Sequence, residues 1–339
     1  MQLCALVSEE ARQRICEDPW LSLFDWTFLC DVASAYSHAP DLLVLEACAM
    51  TDMPAGGGLP APCWCFGADG FDPDVSGDIE FFGASLDAAV LGDRLAALLW
   101  LHGKLVPACF AGVPLALTNG RLSFQTVSRL RYLLQMTVTP TAEVGGDVAL
   151  YFESDSRTLV VLGDAIGHGE DAALDAAQFA LGVVRHVFPS GLSCNSLQAL
   201  HEALLRRLAR GRFVAASFIE FDRLAGTVRL LNAGMPDIAL LRPDSAPERF
   251  PSTQPPFGVP GALPGDILTR VLTAGCRWAL HSDGADGGAL LDSLAAVDCH
   301  RPDGRPCIDT CRLGGCTSVH RSPEVADDAS QIIVCIADS

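Results

Sequence analysis

Short apolar runs recur along the chain and are separated by polar, glycine-containing segments. Leu3 to Val7, Trp26 to Val32, Leu42 to Glu46, Pro62 to Gly67 and Ile79 to Gly83 are runs of this kind, with helix-compatible segments between them, the first from Glu9. That alternation predicts a five-stranded, doubly wound parallel sheet, an α/β unit. The stretch Asp87 to Leu101 closes the unit as an amphipathic helix, with Leu91, Leu95, Leu98 and Leu99 at core-facing spacings.

The pattern changes after His102. Residues 102–128 read as a connector containing Pro107 and Pro114, in which Leu115 to Phe124 alternates around Asn119-Gly120, a hairpin signal. Strands are then expected over Arg131 to Val138, Asp147 to Glu153 and Thr158 to Asp164. Two helices follow, about Ala172 to Phe188 and Ser196 to Ala209. Beyond them, Phe213 to Phe221, Val228 to Asn232, Ile238 to Leu241, Ile267 to Leu272, Trp278 to His281 and Gln331 to Ala337 read as strands. Many strands with a helix pair among them predict an α+β sandwich, so residues 1–101 and 129–339 form separate domains.

Composition narrows the function. Half of the 339 residues are hydrophobic, which excludes disorder as the default, and 41 acidic against 23 basic side chains give a formal charge of −18. That excess disfavours nucleic acid and anionic membrane as partners. No apolar run approaches the ~18 residues of a membrane span. The first residues lack the basic region of a signal peptide, so a cytoplasmic protein is expected. Of 14 cysteines, most, including Cys4, Cys30, Cys48 and Cys335, stand singly in apolar segments as small hydrophobes. Cys299, Cys307, Cys311 and Cys316 cluster in one loop, but their spacing is not that of paired C-x-x-C zinc knuckles, so structural zinc is not expected there.

The candidate chemistry lies in lone aspartates at strand ends. Asp164 stands in G-D-A-I-G-H-G after an apolar run, Asp147 in V-G-G-D, Asp283 in H-S-D-G and Asp327 in A-D-D-A-S. Each is expected to project into a cleft without being buried. Oxygen-only ligation of this kind suits Mg²⁺ or Mn²⁺ rather than zinc. Two such ions can activate a water for in-line attack on a phosphoryl group.

E-V-G-G-D, G-D-A-I-G-H-G, N-A-G-M-P, P-P-F-G-V, P-G-D, H-S-D-G and D-D-A-S-Q-I-I-V occur in that order from Glu143 to Val334. In this they resemble the SpoIIE-like branch of the metal-dependent (PPM-type) serine/threonine protein phosphatases, over about Arg129 to Ser339. The resemblance implies a bacterial α-β-β-α sandwich with two Mn²⁺ or Mg²⁺ ions between its sheets. The implied substrate is a phosphorylated anti-anti-sigma-type, STAS-like protein, and the helices after G-H-G are implied to act as a switch that a homodimer interface can bias. Carried over by motif, Asp164 bridges the metals, the carbonyl of Ala165 adds a ligand, and Asp147, Asp283 and Asp327 complete the set, with Asp328 as the register alternative. His168 is expected to fix the turn rather than transfer protons. Met235 stands where the family has a histidine. A catalytically silent adaptor is the alternative reading.

Residues 1–101 resemble a response-regulator receiver domain. Glu46 stands at the phosphoacceptor position, Ser8 and Glu9 at the acidic pair, and Gly67 at the hydroxyl position. No lysine follows the fifth strand, where Gly83, Ala84 and Ser85 stand. The resemblance implies a degenerate regulatory domain, either locked by the charge of Glu46 or reduced to a docking platform.

Overall fold

The structure, a computed structural model, describes two sets of residues. In the N-terminal part these are residues 3–18, 21, 26–38, 40, 42–46, 63–67, 79–82, 86–87, 90–92 and 94–95. In the C-terminal part they are residues 116–120, 122–127, 132–142, 144–243, 245–261, 265–296 and 327–336. The cysteine cluster from Cys299 to Cys316 lies outside the described residues, as does Cys48. The chain divides into two units, Met1–Ala97 with Arg206–Arg212, and Leu98–Leu205 with Phe213–Ser339.

In the first unit, β1 (Leu3–Leu6), β2 (Trp26–Phe28), β3 (Leu42–Glu46), β4 (Cys63–Phe66) and β5 (Ile79–Phe82) lie in the order β2-β1-β3-β4-β5, and the neighbouring strands run parallel. Helix α1 (Glu9–Glu17) starts at Ser8, whose hydroxyl accepts from the N–H of Ala11 at 3.3 Å, and it buries Ala11 and Ile15. Helix α2 (Val32–His38) follows Asp31, whose Oδ1 accepts from the N–H of Ser34 at 2.7 Å. At the end of β3, Glu46 Oε2 accepts from the backbone N–H of Ser8 at 2.6 Å. Cys4 is buried as expected, whereas Cys30 is exposed, because β2 ends at Phe28, short of it. Of the helix expected over Asp87 to Leu101, residues 90–92 and 94–95 are described and helical.

The second unit is two antiparallel six-stranded sheets. One contains β6 (Ala116–Gly120), β9 (Val144–Glu153), β10 (Arg157–Ala165), β11 (Val214–Asp222), β12 (Thr227–Ala233) and β15 (Leu268–Val271), in the order β15-β12-β11-β10-β9-β6. The other contains β7 (Leu122–Val127), β8 (Tyr132–Thr139), β13 (Ile238–Leu241), β14 (Glu248–Phe250), β16 (Arg277–His281) and β17 (Ala329–Ile336), in the order β14-β13-β16-β17-β8-β7. Their inner faces share one core, to which Val160, Leu162, Ile219 and Phe221 come from the first sheet and Met136, Trp278, Ile332 and Val334 from the second. On the outer face of the first sheet lies helix α3 (Glu170–Gly182), whose Phe179 meets Phe218 edge-on. A π-helical turn, Val183–Val187, continues α3, and α4 (Cys194–Arg207) follows. On the second sheet, Leu290, Leu291 and Leu294 of α5 (Gly287–Ala296) pack with Leu133, Ala279 and Ile333. The layers are therefore α-β-β-α.

The Asn119-Gly120 alternation does not form a hairpin. Strand β6 pairs with β9 and β7 pairs with β8, so the chain changes sheets between them. Each strand gains a longer antiparallel neighbour in its own sheet, and the turn serves as a corner of the sandwich. Two elements were not legible as such in the sequence, β14 and α5. Among the described residues, no helix is long and apolar enough to cross a membrane.

Candidate metal centre

Two adjacent strands carry the first pair of acids. Asp164 is the penultimate residue of β10 and stands in register with Asp147 of β9. Strand β9 begins at Val144, three residues earlier than expected, so Asp147 lies within the ladder and is buried at 1% exposure. The expectation of a strand-end, unburied carboxylate fails here, because β9 runs on past the end of its β10 ladder to pair with β6 at Val144. Asp164 is half-buried and Asp283, just beyond β16, is exposed. Asp327 is half-buried just before β17.

Glycines let these strands close up. A Cβ on Gly146 would lie 2.6 Å from the carbonyl oxygen of Ala165, which fixes that carbonyl over the start of β9. The turn after Ala165 is made by Gly167 and Gly169, at φ of 91° and 78°. His168 is exposed between them, so backbone conformation rather than the imidazole shapes the turn. The amide of Ile166 donates to the carbonyl of Phe213 at 3.1 Å and ties the turn to the segment entering β11.

Asp328, the register alternative, is differently engaged. Its Oδ1 accepts from Thr141 N–H at 2.6 Å and from Thr141 Oγ1 at 2.9 Å, and its Oδ2 accepts from Gly146 N–H at 2.7 Å. Both oxygens are committed to the β8–β9 turn. Neighbouring Asp327 instead turns an oxygen toward the Asp328 amide, at 2.8 Å. Met235, which the motif resemblance sets against a histidine, is buried in the core shared by the two sheets. Its turn is held by Asn232, whose Oδ1 accepts from Met235 N–H at 3.2 Å.

The acids raise one another's proton affinity. Burial, then the charges of Asp147, Asp283, Asp327 and Asp328, push the Asp164 carboxyl up. Burial also raises Asp147, aided by the charges of Asp328 and Asp283, while two hydroxyls partly offset it, that of Ser330 from beyond hydrogen-bond distance and that of Ser282 through a bond of 2.8 Å. Asp283, exposed but partly desolvated where it faces the cleft, is raised by that desolvation and by the charge of Asp327. Among the described residues, no three such side chains close around one point as they stand. Mutually repelling carboxylates need a cation's charge before they converge. The donor set fits a hard divalent cation: Asp147 Oδ1 is buried without a hydrogen-bond partner, and the candidate ligands are carboxylates and a backbone carbonyl, all oxygen donors. Sequence reasoning missed Thr141 and Ser282. The signal for Ser282 was its place inside H-S-D-G.

Residues 154–302 match the family model for stage II sporulation protein E (SpoIIE), a span that includes Asp164 and Asp283 but not Asp147 or Asp327. No curated protein matches the chain. Among solved structures, it is similar to the RsbU and RsbW domains of Rv1364c from Mycobacterium tuberculosis. The identity is 20% over 66% of this chain and 64% of that one, with a TM-score of 0.50, a likeness of fold. The PP2C phosphatase domain and regulatory-domain fragment of SpoIIE from Bacillus subtilis align at 13% identity over 72% and 75%, with a TM-score of 0.48. The catalytic domain of the serine threonine protein phosphatase PstP, in complex with two manganese ions, aligns at 17% over 61% and 98%, with a TM-score of 0.43.

Proposed function

We propose that this chain, whose residues 154–302 match the SpoIIE family model, is a PP2C-type, metal-dependent serine/threonine phosphatase that removes phosphate from a serine or threonine of an anti-anti-sigma-type regulatory protein. The observation that carries the proposal is the in-register pair Asp147 and Asp164 on neighbouring strands, where the charges of Asp147, Asp283 and Asp327 raise the proton affinity of Asp164. Such a cluster stores repulsion unless a cation neutralises it.

Asp147, Asp164, Asp283, Asp327 and the carbonyl of Ala165 would hold two Mn²⁺ or Mg²⁺ ions. Asp328 is set apart from that role by its three bonds to Thr141 and Gly146, which favours Asp327 in the D-D pair. When bound, the ions supply charge neutralisation at a phosphoryl group and acidify water toward a nucleophile at neutral pH. The chain's own part is to fix these oxygens within β9 and β10 and beside the ends of β16 and β17, so that donors cannot drift apart once the substrate's charge arrives. His168, exposed on its turn, is left outside the chemistry.

The N-terminal unit is read as a receiver-like regulatory domain. Its strand order, β2-β1-β3-β4-β5, is that of flavodoxin-like folds and supports this. Engagement of Glu46 with the Ser8 amide supports a fixed state, because the carboxylate already tethers the loop after β1.

The test is release of phosphate from a phosphoserine protein, or of p-nitrophenol from p-nitrophenyl phosphate, by the full chain with Mn²⁺. Turnover is expected to fall at least about 100-fold in Asp164→Asn, as when a group central to transition-state charge stabilisation is lost. No turnover with any divalent ion, and no difference between wild type and the variant, would sink the enzyme reading in favour of an adaptor.

A further inference from the structure

Ser282 is fully buried between His281, the last residue of β16, and Asp283. Its amide donates to the carbonyl of Ser330 at 3.0 Å, and its hydroxyl oxygen accepts from the Ser330 amide at 2.9 Å. A serine hydroxyl has one proton to give. Two acceptors are in reach, Asp147 Oδ2 at 2.8 Å and the Asp328 carbonyl at 3.4 Å. The shorter bond, to a carboxylate, is the stronger.

That bond crosses the mouth of the sandwich. Asp147 belongs to β9 in one sheet, and Ser282 adjoins β16 in the other. With Oδ2 engaged, Oδ1 is the oxygen left over, and it is buried without a hydrogen-bond partner. The donor itself is fixed. A Cβ on Gly284 would lie 2.1 Å from the Asp328 carbonyl oxygen, so the segment is pressed against the entry to β17 and cannot shift without breaking that packing.

We propose that Ser282 is a positioning residue for the metal centre, its hydroxyl holding Oδ2 of Asp147 so that Oδ1 is presented as a ligand to a divalent cation. This rests on the metal reading above. Outer hydrogen bonds of this kind orient ligands, and their loss typically costs ~10–100-fold in metal affinity.

The experiment is Mn²⁺ titration of the full chain by calorimetry, with electron paramagnetic resonance of the Mn²⁺-saturated protein. Ser282→Ala is expected to bind Mn²⁺ at least about 10-fold more weakly and to give a changed resonance at saturation. Ser282→Cys keeps the bulk but offers a weaker donor, and is expected to fall between; it decides the question if the alanine variant does not fold. Wild-type affinity in whichever variant folds overturns the role of Ser282 alone. So does a loss of affinity with an unchanged resonance at saturation, which marks a merely structural effect. A wild-type protein that takes up no Mn²⁺ overturns the metal reading itself, and this inference with it.

Discussion

Asp327 and Asp328 are adjacent and chemically identical, yet they meet opposite surroundings. Asp328 is 3% exposed and receives three hydrogen bonds, from Thr141 and Gly146, so its charge is compensated by donors. The acids around Asp164 receive fewer such bonds, one from the Ser282 hydroxyl at Asp147 and one from the Asp328 amide at Asp327, and they repel. The same isosteric change should therefore act with opposite sign at the two places. Asp328→Asn turns an amide N–H₂ against a donor and should cost about 1–3 kcal/mol. Asp164→Asn removes a carboxyl that folding must hold protonated among other acids, and should leave the metal-free protein as stable as wild type or more so. Urea denaturation of both variants in a chelator reads this directly. An Asp328→Asn variant of wild-type stability would show that Asp328 does not tie the β8–β9 turn to β17.

The connector between α3 and α4 is held by Glu220 of β11. Its buried carboxylate accepts from Arg229 Nη2 through Oε1 and from the Leu192 amide through Oε2 at 2.9 Å, with Arg157 Nη1 3.6 Å away. Arg229 Nη1 also donates to the Leu192 carbonyl at 2.8 Å, and a Cβ on Gly191 would meet Arg157 at 2.0 Å. One end of the helix pair is thus fastened to three strands, while the other end leaves the Asp164 turn. Glu220→Gln should cost about 2–3 kcal/mol. That is below the ~3–5 of a fully buried pair, because the arginine side chains are 27% and 30% exposed. Faster amide exchange over residues 189–193 should accompany the loss, and unchanged exchange there would refute the clamp. The helices themselves were legible from Leu174, Ala177 and Leu181, and β10 from its unbroken apolar run, because local periodicity fixes such elements. Helix α5 was not, since it opens on Gly287 and Gly288, poor helix formers; its start is set by Asp286 Oδ1, which accepts from Ala289 N–H at 3.0 Å. Strand β14 exists through pairing with β13, and the Asn119-Gly120 turn through two different sheets, partnerships that no local pattern encodes. At the site, the motifs located the acids, but the cross-sheet bond from Ser282 to Asp147 appears only when the two sheets meet.

Over the whole molecule the site's aspartates are part of a formal charge of −18, and stability should depend on pH in a way that metal reverses. Asp147 and Asp164 are raised from 3.8 to about 7 and about 9. A carboxyl whose folded pKa lies above its unfolded value binds more protons folded than unfolded in between. Its contribution is therefore fully present below about pH 4 and is lost as pH rises through those folded values. In a chelator, the unfolding temperature of the C-terminal domain should fall between about pH 5 and 9. With excess Mn²⁺ the trend should invert, since ligation requires ionised carboxylates and binding to the folded state alone stabilises it. General self-repulsion of an acidic chain predicts a similar fall, but monovalent salt screens it, with a Debye length of ~10 Å at 0.1 M. Buried, adjacent acids are screened far less. NaCl at 0.1 M should therefore leave most of the fall in place while millimolar Mn²⁺ removes it, and equal effects of the two would assign the pH dependence to the surface rather than to the four aspartates.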